Sequence, residues 1–140
     1  MGMNILLSLY RELQREGILV FEYTQRESKA VTIGNSSGYG IFLDSARFET
    51  AAEELSVLAH EFGHCATGAT HAVGSPLDLI EKHEYKADKW AAHRLLPPDK
   101  LREAADAGVT ETWELAERFG VTEAFVRRTL YIYQCEGVLD

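Results

Sequence analysis

The residues best suited to chemistry are His60-Glu61-Phe62-Gly63-His64, which read H-E-x-x-H. On a helix, residues i and i+4 lie on one face, so both imidazoles can reach a single metal ion. Glu61 cannot easily ligate the same ion as both histidines, but it stands one step round, beside any water held there. Zinc lowers the pKa of such a water toward ~7 and polarises a carbonyl. Glu61 can then take the proton and hand it to a leaving amine. The chemistry implied is metal-assisted hydrolysis of an amide bond.

A catalytic zinc site needs three protein ligands and one open position. Beyond His60 and His64 the candidates are Glu81, Glu84, Asp88, His71, His83 and His93. Glu84 is the choice: it follows His64 by 20 residues, on the next long helix, at a position expected to face inward with Ile80, Ala87, Ala91 and Leu95. Asp88, one turn later, can accept a hydrogen bond from a ligating histidine and orient it. His93 is nine positions past Glu84 and points to the opposite face. An oxyanion would need a donor, and His71, in the loop after the motif, and Tyr85 are the candidates. His83 and His93 read as surface or core residues, Cys65 as a small buried one, and Trp90 and Trp113 as core.

The elements that must position these groups follow from periodicity and punctuation. Leu6, Leu9, Tyr10 and Leu13 predict a helix over 4–16, stopped by Gly17. Residues 18–24 and 30–33 read as strands, with a polar turn over 26–29 between them. The turn Gly34-Asn35-Ser36-Ser37-Gly38 leads into a third strand, Tyr39 to Leu43, paired antiparallel across it. Thr50 and Glu53 form a capping box for the motif helix, which ends at Gly68. Ser75 as N-cap and Pro76 at the first helical position open the ligand helix, which Pro97-Pro98 ends near Leu96. Asp99, Thr110 and Thr122 are expected caps for three further helices ending near Gly108, Phe119 and Tyr133. The fold class is therefore α+β: one domain, with a core over 1–98 and a helical tail over 99–140 packed on it.

With 140 residues, 46% of them hydrophobic, the chain can build one real core. The formal net charge of −8 argues against non-specific binding to nucleic acid or an anionic membrane. Cys65 and Cys135 are too few for a disulfide framework, no secretory signal is visible, and a cytoplasmic location with reduced thiols is expected. Ala116, Gly120 and Val126, a small residue, a turn and a core contact at steps of four and six, match the spacing of a helix-turn-helix, and Arg127 and Arg128 lie on its second helix. Residues 101–140 nevertheless carry four arginines against eight acidic residues, a net of −4. A structural or protein-docking role is preferred to DNA contact.

Taken together, the blocks His60 to Cys65, Ser75 to Asp78, His83 to Ala92 and Leu95 to Pro97 resemble the ImmA/IrrE-type zinc peptidase family. The family pattern of glutamate, any residue, glutamate, alanine, then asparagine or aspartate falls on Glu84 to Asp88, with Lys86 in place of the second glutamate. The resemblance implies a minimal gluzincin-like fold and one zinc ion held by His60, His64 and Glu84. It also implies a cytoplasmic endopeptidase of phages or integrative elements that cleaves a cognate helix-turn-helix repressor. The alternative is a non-proteolytic metal-containing module that binds and sequesters a transcriptional regulator. In zincin-like sites an edge strand aligns the substrate, and Tyr39 to Leu43 is the expected strand.

Overall fold

The computed structural model describes residues 2–24, 28–70 and 74–139. Helix α1 (Gly2–Arg15) is followed by strands β1 (Leu19–Glu22), β2 (Ala30–Asn35) and β3 (Gly38–Leu43). Among the described residues five α-helices follow: α2 (Ala51–Thr67), α3 (Leu77–Leu95), α4 (Pro98–Asp106), α5 (Thr112–Phe119) and α6 (Glu123–Cys135). This is the α+β class expected. The polar turn anticipated over 26–29 lies partly outside the described residues.

β2 and β3 form a hairpin in which Asn35 pairs with Gly38. Asn35 Oδ1 accepts from the Ser37 N–H at 2.7 Å, and Gly38 takes a φ of 131°, which a side chain would resist. β1 then pairs parallel with the other side of β3, so the order is β1-β3-β2. This corrects the strand expected to receive substrate. Tyr39 to Leu43 is the central strand with both sides occupied, and the edges are β1 and β2. Hairpin signals establish that β2 and β3 pair, but they say nothing of which strand a distant segment joins.

The sheet's two faces differ. Ile41 and Leu43 are fully buried against the helices, and Thr32, the partner of Ile41, shares their face. Leu19, Phe21, Val31 and Ile33 lie on the other face and are exposed, with Phe21 stacked on Phe42 at 5.0 Å.

The motif helix α2 starts as expected. Thr50 Oγ1 accepts from the Glu53 N–H at 3.0 Å, a cap worth about 1 kcal/mol. Glu53 reaches back to the Glu49 N–H at 2.9 Å, one residue earlier than a standard capping box. Gly68 ends the helix in the left-handed region, at φ 66°. Its buried stripe of Leu55, Leu58, Ala59 and Phe62 makes it the centre of the core.

Three caps differ from expectation. The last residue before α3 is Pro76 rather than Ser75, the last before α4 is Pro97, so that Asp99 falls inside the helix, and α5 begins after Glu111 rather than Thr110. Proline's φ suits both the last extended residue and the first helical one, so its presence alone does not fix the boundary. Thr122 caps α6 as expected, accepting from the Phe125 N–H at 3.1 Å.

The tail shares the core of the rest. Leu101, Ala104, Leu115, Val121, Val126, Ile132 and Tyr133 join one apolar cluster with Leu9, Leu13, Ile41, Leu55 and Leu95. Tyr133 is fully buried and donates its hydroxyl to the Leu96 carbonyl at 2.7 Å. Trp90 lies against Phe62 with ring centroids 4.6 Å apart. Trp113 is 55% exposed and is not core: it occupies the first turn of the short helix α5, whose buried residues are Leu115 and Ala116.

Candidate metal centre

The site is assembled by the packing of α2 on α3, and the two backbones come very close at Gly63. A Cβ there would lie 2.4 Å from the Ala87 carbonyl oxygen and 2.9 Å from Ala87 Cα. Only glycine lets the two backbones meet so closely. Gly63 stands between His60 and His64, and Ala87 between Glu84 and Asp88, so this contact sets the distance between the two halves of the site.

At that contact three side chains able to ligate a metal ion converge. His60 Nε2 lies 3.2 Å from His64 Nε2. Glu84 meets the first through Oε2 at 2.7 Å and the second through Oε1 at 3.3 Å. One ligand atom from each of the three side chains falls within 4.8 Å of the other two. A tetrahedral ion with bonds of about 2.0–2.1 Å spaces its ligand atoms by roughly 3.3 Å. These three side chains fit such an ion without rearrangement of the helices.

The far side of each imidazole is also engaged. His60 Nδ1 donates to Asp88 Oδ1 at 2.6 Å, and His64 Nδ1 donates to the Ala69 carbonyl at 2.6 Å. A carbonyl can only accept, so His64 carries its proton on Nδ1, and its Nε2 is left as a lone pair unless the ring is charged. The loop residue Ala69 lies just past Gly68, so the glycine stop of α2 also turns the backbone under His64.

This arrangement attracts positive charge. Burial opposes charging of His60, but the carboxylates of Asp88 and Glu84 outweigh it and lift its pKa to about 10. His64 is raised as well, with burial again opposed by Glu84 and the Ala69 carbonyl. Hydrogen bonds from His60 and then His64 hold the Glu84 carboxyl far below its usual value. Two imidazoles and an ionised carboxylate crowded within bonding reach need a cation between them, and protons or a divalent metal can serve.

Glu61 is buried, and its Oε1 accepts from Thr32 Oγ1 at 2.7 Å. The same hydroxyl lies 3.2 Å from the Glu61 carbonyl. Thr32 was not foreseen. The available signal was its parity: in an alternating strand it shares a face with Ile41, toward the motif helix. Arg128 was likewise unforeseen as part of the site, and its Nε donates to Asp88 Oδ2 at 2.9 Å.

The remaining expectations divide. Tyr85 is not presented as an oxyanion donor, because its hydroxyl donates to Glu136 Oε2 at 3.2 Å. His71 lies outside the described residues. His93 packs edge-on against Tyr133, away from the cluster, as its spacing required. Burial pushes the Cys65 thiol up to about 12, so it stays protonated. Cys65 and Cys135 are both free.

A cleft of about 460 Å³ opens beside His60 and Glu61, bounded by Ala30 at the start of β2, Val57 of α2, and Phe125 and Arg128 of α6. A small mixed sheet over a helix pair that presents two histidines and a glutamate has the build of a metal-dependent hydrolase. The chain belongs to the Peptidase_M78 family, the IrrE N-terminal-like domain, whose family model matches residues 13–131. No curated protein and no solved structure matched the chain. Membership gives it a metallopeptidase-type function, with metal dependence and a protein as substrate. No helix among the described residues is long and apolar enough to cross a membrane.

Proposed function

We propose that the chain is a zinc-dependent endopeptidase whose metal is held by His60, His64 and Glu84 and whose general base is Glu61. The observation that carries this reading is the convergence of two imidazole Nε2 atoms and the Glu84 carboxylate at spacings of 2.7 to 3.3 Å. When bound, the ion supplies Lewis acidity, polarising the scissile carbonyl and acidifying water. Asp88 and the Ala69 carbonyl hold the two imidazoles in the tautomer that presents Nε2. Thr32 holds one oxygen of the Glu61 carboxylate, and the carboxylate takes a proton and returns it to the departing amine nitrogen.

β2, not β3, is the strand that aligns the substrate in this reading. It is an edge strand, Thr32 ties it to Glu61, and Ala30 at its start lines the cleft beside His60. An extended peptide added to that edge would pass the site with its backbone hydrogen-bonded and one side chain toward the cleft.

The proposed substrate is a cognate helix-turn-helix repressor of a phage or integrative element, cleaved in the cytoplasm. The helical tail over 99–140 belongs to the same working unit as the core over 1–98. The test is incubation of the zinc-loaded protein with the repressor encoded beside it. The wild type should release fragments that a chelator suppresses. Glu61→Gln should retain zinc and release none. A stoichiometric complex without fragments would instead support sequestration of the regulator.

A further inference from the structure

We propose that Arg128, on α6 of the tail, is a positioning residue of the metal centre, acting on His60 through Asp88. The inference rests on the metal-centre reading and extends it to a helix that contributes no ligand.

Asp88 divides its carboxylate between two partners. Oδ1 accepts from His60 Nδ1 at 2.6 Å and Oδ2 accepts from Arg128 Nε at 2.9 Å. A carboxylate on a flexible Cβ–Cγ bond can rotate, and a second charged partner on the far oxygen stops that rotation. Arg128 is itself held in place. Its guanidinium carbon sits 5.7 Å from the centre of the Tyr85 ring and 5.5 Å from that of Tyr131. Cation–π attraction from both rings steadies a side chain that is 42% exposed. Around it Glu136, from the end of α6, binds both Tyr85 and Lys89 of α3. The relay runs from α6 through Asp88 to His60 Nδ1 and so to the nitrogen that faces Glu84.

Half exposure makes the ion pair a weak source of stability, as exposed pairs generally are. Its effect should therefore appear in the ordering of the site rather than in the fold. Removing groups that orient metal-ligating histidines typically weakens metal binding 10–100-fold. Arg128 stands one bond network further out, and a loss of about 3–10-fold is expected on that scale.

The experiment is a double-mutant cycle in the full chain, with zinc affinity read by competition against a chromophoric chelator. Cobalt(II) absorption serves as a second, activity-independent report on the ligand geometry. Arg128→Ala should bind zinc about 3–10-fold more weakly and shift the cobalt bands, while the metal-free protein melts near the wild-type temperature. Asp88→Ala should lose more, and adding Arg128→Ala to it should change nothing further, because the relay is already cut. Arg128→Lys keeps the charge but lacks the planar group that contacts both rings, and should fall between the wild type and Arg128→Ala. Unchanged zinc affinity and cobalt spectrum in Arg128→Ala, or losses that simply add in the double variant, would overturn the proposal alone. A wild-type chain that binds neither zinc nor cobalt would overturn the metal-centre reading with it.

Discussion

Gly63→Ala is the most informative substitution, because two physical arguments predict opposite signs. In an ordinary helix interior, alanine is favoured over glycine by about 1 kcal/mol. Here the new methyl would sit 2.4 Å from the Ala87 carbonyl oxygen, about 1 Å inside ordinary contact. That oxygen is backbone in the middle of α3, so relief requires the helices to part or slide. Such overpacking typically costs about 1–3 kcal/mol, which offsets the propensity gain and leaves a net loss of roughly 0–2 kcal/mol. The larger effect falls on the site. Glu84 and Asp88 flank Ala87 on α3, while His60 and His64 flank Gly63 on α2, so a shift of several tenths of an ångström changes every distance between the two sets. Metal sites tolerate about ±0.2 Å in their bonds. Zinc affinity should fall on the order of 10–100-fold, the range for disturbed ligand orientation. Chelator competition measures the affinity, and thermal unfolding with and without zinc separates it from stability. If Gly63→Ala is about 1 kcal/mol more stable without metal and binds zinc as tightly as wild type, then the helix contact does not set the ligand spacing.

Other outcomes follow from single contacts. Thr32→Val is nearly isosteric and removes the hydroxyl from Glu61. It should retain zinc while lowering kcat about 10-fold, measured on the repressor at saturating substrate; a change in zinc affinity instead would place Thr32's role at the ligands. The metal-free protein should lose stability as pH rises. His60 is lifted from an ordinary 6.5 to about 10, so its contribution is fully present below about 6.5 and disappears as pH passes 10. Zinc needs the imidazoles unprotonated, so its affinity should rise over the same window. Melting with and without zinc at pH 6 and pH 9 checks both trends, and stability of the metal-free form that climbs toward pH 9 would contradict the first. Tyr133→Phe strands the Leu96 carbonyl and should cost about 1–2 kcal/mol in urea unfolding. Trp113→Ala, at an exposed position, should stay within about 0.5 kcal/mol of wild type.

Much of the candidate site was legible in the chain because its arrangement depends on helical periodicity. The four-residue step from His60 to His64, and the same step from Glu84 to Asp88, place each pair on one helix face whatever the helix packs against. Thr50 and Gly68 mark the ends of α2 by local hydrogen bonding and backbone conformation, which are likewise properties of a few adjacent residues. The family resemblance rests on these same local blocks. Tertiary structure decided what joins distant segments. It put β3 between β1 and β2, because strand order depends on packing between residues far apart in the chain, and so left β1 and β2 as the edges. It brought Thr32 of that strand against Glu61 and Arg128 of the last helix against Asp88, contacts separated by 29 and 40 residues. It left Trp113 in solvent despite its apolar ring. Arg128 read along the chain is one of two adjacent cations on a possible recognition helix. Folded, its guanidinium is committed to Asp88, and nothing in its own neighbourhood of sequence says so.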